Sequence, residues 1–527
     1  MPSVAWIDRH SSLAILPLAG LLVFALFAWQ GTQYAYPLFD EGFLWYGVQR
    51  VMLGEVPIRD FMAYDPGRYY WSAALMGLWG DNGIMALRAT QALAQAIGLA
   101  AGLTLIAFSA AKRRLPFLVL SAVTLVVWMY PHYKQIDILA SVLLIGALAY
   151  LVHRPSGRRY FVAGLLVGLA AVLGRNHGVY GVAGSLGVMA WLSIGRAEGP
   201  GLPKGLASWS AGVLAGFSPI LLMALLSPGF AVSFLESIRA LFELGGTNLD
   251  LPVPWPWRVD LAALPPAEAM RDLLVGLFFV ALVVFGVVSV AWVVTQRLRG
   301  RAVAPALVGA AFLSLPYAHY AYSRAVVAHL ALGSFPFLIG TLAVLGAQPS
   351  RLKWPLALVL GAASLWVMSF FQPGWTCRAS DACVAVTISG STLHVDPGTA
   401  NDVALLRKLV DDHAPDGRTF LATPYWPGAY PLFERKSPMW EIYALFPRSE
   451  AFQRAEIERI EAARPAFALI FDHPLDGREE LRFRNTHQLI YEFIVGSFER
   501  IPAPPGSPYQ IFRAREDDLA SGARGDG

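Results

Sequence analysis

Charge is scarce in this chain. Only 15% of its 527 residues are Asp, Glu, Lys or Arg, while 56% are hydrophobic. A soluble domain runs near a quarter charged. With the apolar residues gathered into long runs, that shortage excludes a soluble, fibrous or disordered chain. The excess of base over acid is also small, 41 Lys and Arg against 37 Asp and Glu, net +4. So small a basic total gives no support for nucleic-acid binding. Several signatures are missing altogether. There is no Gly-x-x-x-x-Gly-Lys-Ser/Thr loop and no strand-linked Gly-x-Gly-x-x-Gly, so nothing points to a soluble nucleotide donor. Neither His-Glu-x-x-His nor Cys-x-x-Cys occurs, so no metal site made of protein ligands alone announces itself. The Gly184-Ser185-Leu186-Gly187 run lies inside an apolar stretch and reads as helix packing. No internal repeat is visible, which counts against a transporter built from repeated halves.

What the chain has in abundance is membrane-length apolar sequence. A helix crossing the hydrocarbon needs about 20 mostly apolar residues. About eleven stretches qualify, near 12–30, 84–111, 115–130, 136–152, 160–174, 178–195, 206–226, 272–296, 303–320, 325–346 and 354–371. The first lacks a small-x-small cleavage site and is read as a retained helix.

The bland total charge hides two unlike regions. Residues 1–371 hold 24 basic and 15 acidic residues, whereas residues 372–527 hold 17 basic and 22 acidic. In the first region the basic clusters are Arg9, Lys112-Arg113-Arg114, Arg154 with Arg158-Arg159, Arg196 with Lys204, Arg297-Arg299-Arg301, and Arg351 with Lys353. Eleven spans put all of them on one side, with only Asp8 and Glu198 as acids there. Lys and Arg mark the cytoplasmic side. The N-terminus is then cytoplasmic and everything beyond residue 371 lies outside. The expected fold is a polytopic α-helical membrane protein of about eleven transmembrane helices (residues 1–371) with a small C-terminal α/β domain (residues 372–515). A tail read as disordered follows from Glu516. Cys377 and Cys383, six residues apart in an oxidising compartment, are placed to close a small disulfide loop; two free thiols are the alternative.

Two outer loops are long, 31–83 and 227–271. The first contains Asp40-Glu41 and then Gly42 to Met52, amphipathic enough for a helix in the membrane interface with Asp40 at its N-cap. Further on come Asp60, Asp65-Pro66-Gly67-Arg68 and Tyr69-Tyr70-Trp71, the last three read as interfacial anchors. The second long loop carries another interfacial helix around Phe234 to Arg239, then a Pro/Trp segment from Pro252 to Trp257. The tight outer turns hold His132 and Lys134, Arg175 and His177, and His319, Tyr322 and Arg324. Charges at this depth are expensive and mark a polar cavity or a bound anion, unless each snorkels to lipid phosphate. The C-terminal region reads as helices at 402–413 and 448–463 between buried strands at 419–422, 467–471 and 509–512. The aromatic loop Pro424 to Tyr430 either faces the membrane or simply packs.

An acidic pair at a membrane surface, opposite cations, suits transfer from a phosphate-linked donor. The acid removes a proton from an acceptor hydroxyl, and the cations stabilise the leaving phosphate. The segments Asp40-Glu41, Arg50-Val51-Met52, Asp65-Pro66-Gly67-Arg68 and Tyr69-Tyr70-Trp71 resemble the first outer loop of GT-C membrane glycosyltransferases, especially the PMT/ArnT-like group. The resemblance implies Asp40 as general base and Glu41 as a neighbour that either orients it or helps bind a divalent cation, Mg2+ or Mn2+. It also implies an inverting transfer from a polyprenyl-phosphate-linked sugar to a lipid, glycan or protein acceptor, at a bacterial inner membrane. Where the group often carries Lys-Pro-Pro, this chain has Asp-Pro-Gly-Arg, so Arg68 takes the lysine's duty toward the donor phosphate. Lys134, Arg175 and Arg324 are the other candidates for that phosphate. Asp65, Tyr69, His132, His177, His319 and Tyr322 are candidate substrate contacts. A flippase of lipid-linked sugars is the alternative, since the same cationic cavity would serve passage.

Overall fold

The computed structural model describes residues 9–27, 34–110, 115–195, 199–245, 248–372, 374–375, 377 and 382–515. Asp8, Lys112, Arg113, Arg114, Arg196, Glu198 and the tail from Glu516 lie outside the described residues. The chain forms two compact units. One comprises Met1–Thr32, Arg88–Ala231 and Ile238–Thr376; the other comprises Gln33–Leu87, Val232–Ser237 and Cys377–Gly527. The first long loop therefore belongs to the same unit as the C-terminal region.

Every expected apolar stretch is helical among the described residues. The helices are Arg9–Leu26, Ile84–Ser109, Leu115–Val127, Gln135–His153, Gly157–Leu173, Arg175–Ser193, Leu202–Leu226, Pro266–Leu298, Pro305–Tyr322, the pair Val327–Gly333 and Phe335–Ala347, and Ser350–Ser369. Among the described residues, five helical segments are long and apolar enough to cross a membrane, or six if the pair bent by 53° is one span. The remaining helices are shorter or carry more polar residues; Arg175–Ser193 has 19 residues but begins Arg-Asn-His. At 1.5 Å per residue, the 13 residues of Leu115–Val127 reach only about 20 Å of a hydrocarbon core about 30 Å thick. The break in the pair has a local cause: Pro336 opens the second helix, has no N–H, and its ring would collide with the carbonyl four residues back in a continuous helix.

Lipid offers apolar side chains no refuge they lack already, so helices in a membrane associate by close packing. Helices Gly157–Leu173 and Leu202–Leu226 do this with two reciprocal glycine pairs. A Cβ on Gly164 or Gly168 would run into the carbonyl oxygens of Trp209 or Val213; one on Gly212 or Gly216 would run into those of Phe161 or Leu165. The two backbones touch, and only glycine permits it. Around them Leu144, Leu148, Val167, Val188, Leu313 and Leu342 form part of one continuous buried core.

The second unit is α/β. Strands β1 (Val384–Ile388) and β2 (Ser391–Val395) form an antiparallel hairpin. Its two turn residues, Ser389 and Gly390, both have positive φ, the type I′ geometry that matches the strand twist. Strands β3 (Leu421–Thr423), β4 (Phe467–Ile470), β5 (Phe498–Ile501) and β6 (Gln510–Ala514) form a sheet in the order β3-β4-β6-β5, in which only β3 and β4 are parallel. Helices Pro397–His413, Glu450–Ala463 and Gln488–Ser497 accompany it. Ile460, Ile490 and Ile494 pack on Leu421, Ala468, Ile470 and Phe512. Pro66–Trp79, which the sequence leaves as loop, is a further helix, with Asp65 at its N-cap, Pro66 in its first turn and Gly80 in the left-handed region at its end.

The glycine contacts predict a stability pattern. Gly164→Ala and Gly168→Ala should each destabilise the detergent-solubilised protein by about 1–3 kcal/mol, the usual cost of overpacking. Gly146→Ala, where a Cβ meets nothing, should be neutral or slightly stabilising, because alanine is the better helix former. Thermal unfolding of the three variants checks this.

Candidate active site

Asp40 and Glu41 open the helix Asp40–Met52. Asp40 is the first helical residue rather than the N-cap expected from sequence, because the Phe43 N–H already donates to the Phe39 carbonyl at 2.8 Å. Both carboxylates therefore sit in the first turn, at the positive end of the helix dipole. Their surroundings differ. Glu41 is 0% exposed, whereas Asp40 is half-buried. Only Asp40 presents a face to solvent, so a proton passed to or from an outside molecule has to go through it.

The helix is held by the C-terminal region. The Gly428 N–H donates to the Leu38 carbonyl at 2.7 Å, and the Tyr36 hydroxyl donates to the Gly428 carbonyl at 2.8 Å. Gly42 lies against the Gly428 backbone so closely that a Cβ on it would overlap the Gly428 Cα. Three hydrogen bonds follow along the helix and its loop. The Tyr46 hydroxyl accepts from the Ser437 N–H at 3.1 Å, the Met62 N–H donates to the Trp440 carbonyl at 2.9 Å, and Trp440 Nε1 donates to the Ile58 carbonyl at 3.0 Å. The aromatic loop Pro424 to Tyr430 is thus packing: Tyr425, Trp426 and Tyr430 are buried. Burial pushes the Tyr430 hydroxyl up to about 12 and raises that of Tyr46 above the ordinary tyrosine range.

The next helix adds the other residues of the loop. Asp65 and Arg68 are both buried. The Arg68 guanidinium stands 4.9 Å from the centroid of Tyr64, whose ring meets Phe43 edge-on at 4.8 Å. Phe43 lies two residues beyond Glu41, so this chain of rings ties the Arg68 turn to the Asp40 helix. Tyr69, expected as a membrane anchor, is fully buried: its hydroxyl accepts from the Tyr64 N–H at 3.0 Å, and its ring fills the space that Gly47 leaves. Burial raises its hydroxyl well above the ordinary range. Tyr70 remains 40% exposed. Asp60 orders its own loop, accepting from the Val56 N–H at 2.7 Å and pairing with Arg59. Glu55 joins Arg50 at 2.5 Å and Lys436 at 2.9 Å. Burial alone would raise the Glu55 carboxyl, but these two cations bring it below its ordinary value. Cys377 and Cys383 are joined as a disulfide, with Cα atoms 5.2 Å apart.

The other candidates belong to the first unit. Lys134 ends a short 3-10 turn that starts at His132, Arg175 opens the helix Arg175–Ser193, and Arg324 follows the helix Pro305–Tyr322. All three cations are half-buried. Arg324 Nη1 donates to the Leu249 carbonyl at 3.0 Å, and the Tyr322 hydroxyl donates to the Phe279 carbonyl at 2.9 Å. His132 lies edge-on to Tyr133, with centroids 5.7 Å apart. His319 Nδ1 is 3.0 Å from the Tyr180 hydroxyl. His177 is fully buried, 3.0 Å from Asp137 Oδ1 and 2.8 Å from the Tyr317 hydroxyl. Sequence reasoning missed Asp137, Tyr180, Tyr317, Tyr320 and His329. For Asp137 a signal existed: it is the one acid within the apolar run 136–152, and ionisable residues in such runs are rarely idle.

No family model matches the chain, and no curated protein does. Among solved structures, ArnT from Cupriavidus metallidurans bound to undecaprenyl phosphate aligns with TM-score 0.56 and 12% identity, over 96% of this chain and 98% of ArnT. ArnT in its apo state gives the same TM-score and identity, over 97% and 99%. The apo oligosaccharyltransferase of Archaeoglobus fulgidus aligns more loosely, at TM-score 0.48 and 12% identity, over 97% of this chain and 75% of that one. The chain has the fold of ArnT; at this identity the likeness concerns the fold alone.

The Glu55 cluster carries a pH prediction. A carboxyl whose folded value is depressed contributes stability that is fully present above its unfolded value, here the ordinary 4.5, and lost as pH falls through the folded value. Wild-type protein should therefore lose stability relative to Glu55→Gln as pH drops below 4.5. The difference should be at most about 1 kcal/mol, since water screens a partly exposed trio. Unfolding midpoints of the two proteins across that range measure it.

Proposed function

We propose that this protein is an integral membrane glycosyltransferase that moves a sugar from a polyprenyl-phosphate-linked donor to an acceptor hydroxyl at the outer face of a bacterial inner membrane. The observation that carries the reading is the Asp40–Glu41 pair at the head of one helix, one carboxylate reachable and the other sealed, in a chain with the fold of ArnT. Undecaprenyl phosphate is bound in the ArnT structure, which supports a lipid-phosphate leaving group here. Asp40 takes the proton of the acceptor hydroxyl as that oxygen attacks the anomeric carbon. The bond from this carbon to the phosphate oxygen breaks, its electron pair leaves with the lipid phosphate, and a single displacement inverts the anomeric centre. Glu41, buried beside it, orients the helix start. Arg68, Lys134, Arg175 and Arg324 are assigned to the negative charge that grows on the leaving phosphate.

The charge bias of residues 1–371 supports basic loops on the cytoplasmic side and a C-terminal region outside. Among the described residues no three His, Cys, Asp or Glu side chains group to hold a metal. Of the pair, Asp40 would hold Mg2+ or Mn2+, since Glu41 is sealed; sparse ligation by one or two carboxylates is usual for Mg2+. Bound there, it would supply charge to the phosphate.

General-base catalysis contributes typically 10²–10⁴-fold. Asp40→Asn should lower sugar transfer from an undecaprenyl-phosphate-linked donor in vesicles at least about 100-fold, while insertion and unfolding temperature stay at wild-type values. A folded Asp40→Asn protein with wild-type turnover would remove Asp40 from the role of base.

A further inference from the structure

Four polar residues of the membrane unit, Asp137, His177, Tyr317 and Tyr320, form one connected network. The His177 Nε2–H donates to Asp137 Oδ1 at 3.0 Å, and the Tyr320 hydroxyl donates to the same oxygen at 3.1 Å. With its proton on Nε2, His177 accepts at Nδ1 from the Tyr317 hydroxyl at 2.8 Å. This tautomer is the one in which every donor in the chain has an acceptor, and all of them run toward the carboxylate. Asp137 is 2% exposed, and His177 and Tyr317 are 0%. The rings of Tyr180 and Tyr317 pack edge-on at 5.1 Å, those of His177 and Tyr317 stack at 5.8 Å, and those of Tyr320 and His329 meet at 5.8 Å.

The placement of these groups in the chain gives the network its meaning. Asp137 comes three residues after Lys134, His177 two after Arg175, and Tyr320 four before Arg324. Each arm of the network thus starts from one of the three cation-bearing turns and ends on one buried carboxylate. A buried anion with satisfied donors is rigid, and leaving any member unpaired is costly.

We propose that Asp137, His177, Tyr317 and Tyr320 are positioning residues that fix Lys134, Arg175 and Arg324 as one anion clamp for the donor phosphate. This rests on the assignment of those three cations to the donor phosphate. Full-length protein in nanodiscs, with undecaprenyl phosphate as the probe, tests both. Lys134→Gln, Arg175→Gln and Arg324→Gln should each weaken binding about tenfold or more, the loss of one charged hydrogen bond. His177→Phe, which keeps the ring but removes both hydrogen bonds, should weaken binding similarly and raise KM for the lipid-linked donor more than it lowers kcat. His177→Gln restores a donor toward Asp137 and should recover most of the affinity. A space-filling histidine predicts the opposite order, with Phe equal to wild type. Tyr320→Phe deletes one hydroxyl only and serves if His177→Phe does not fold; it should weaken binding severalfold. If the three cation variants lose binding while folded His177→Phe and Tyr320→Phe do not, the network has no positioning role and the proposal falls alone. If the cation variants bind like wild type, the donor-phosphate assignment itself fails and takes the proposal with it.

Discussion

The second unit depends on a place where two backbones touch. Gly42, in the first turn of the Asp40 helix, lies against Gly428, and the Gly428 N–H and carbonyl are both taken by the loop segment at Leu38 and Tyr36. Side chains keep elements apart; here none intervenes, and the helix start is set by main-chain contact. A carboxylate used as a base must hold its position to within a fraction of an ångström. Asp40 and Glu41 gain that from Gly428, which bonds Tyr36 across 392 positions of the chain, not from their own loop. The loop beyond is tied down by Tyr46, Ile58 and Met62 on Ser437 and Trp440, so the whole segment is ordered by the C-terminal region.

The membrane unit solves a different problem with related means. Its helices gain nothing by merely hiding apolar surface from water, since lipid is as apolar as they are. Reciprocal glycines let Gly157–Leu173 and Leu202–Leu226 approach to backbone contact, where dispersion forces act at short range. The Asp137 network supplies the polar counterpart. Its buried carboxylate is tolerated because His177 and Tyr320 both donate to it.

Much of this was legible in the sequence. Apolar runs located the membrane helices to within a few residues, because hydrocarbon thickness imposes their length. The Asp402 and Arg448 helices and the strands near 421, 467 and 510 were readable from periodicity and buried runs. The hairpin at 384–395 was missed, although Ser389-Gly390 between alternating residues is a turn signal. The Pro66–Trp79 helix was missed because its aromatic residues read as interfacial anchors, and Asp65-Pro66 as a turn. Asp40 was named from its neighbours in sequence; that Glu41 would be sealed and Asp40 half-open was not visible there.

Local sequence determined which segments are helices and strands, which of them are apolar enough for a membrane, and that two acids share a helix start. Those properties follow from residue type and spacing over a turn or two. The tertiary structure alone decided that the first loop folds with the C-terminal region, that glycines 164, 168, 212 and 216 face one another, and that Asp137, His177, Tyr317 and Tyr320 meet. Such meetings join residues separated by tens to hundreds of positions, and no local periodicity encodes them. They are set by which surfaces pack without voids and which buried polar atoms find partners, conditions that only the folded chain can meet.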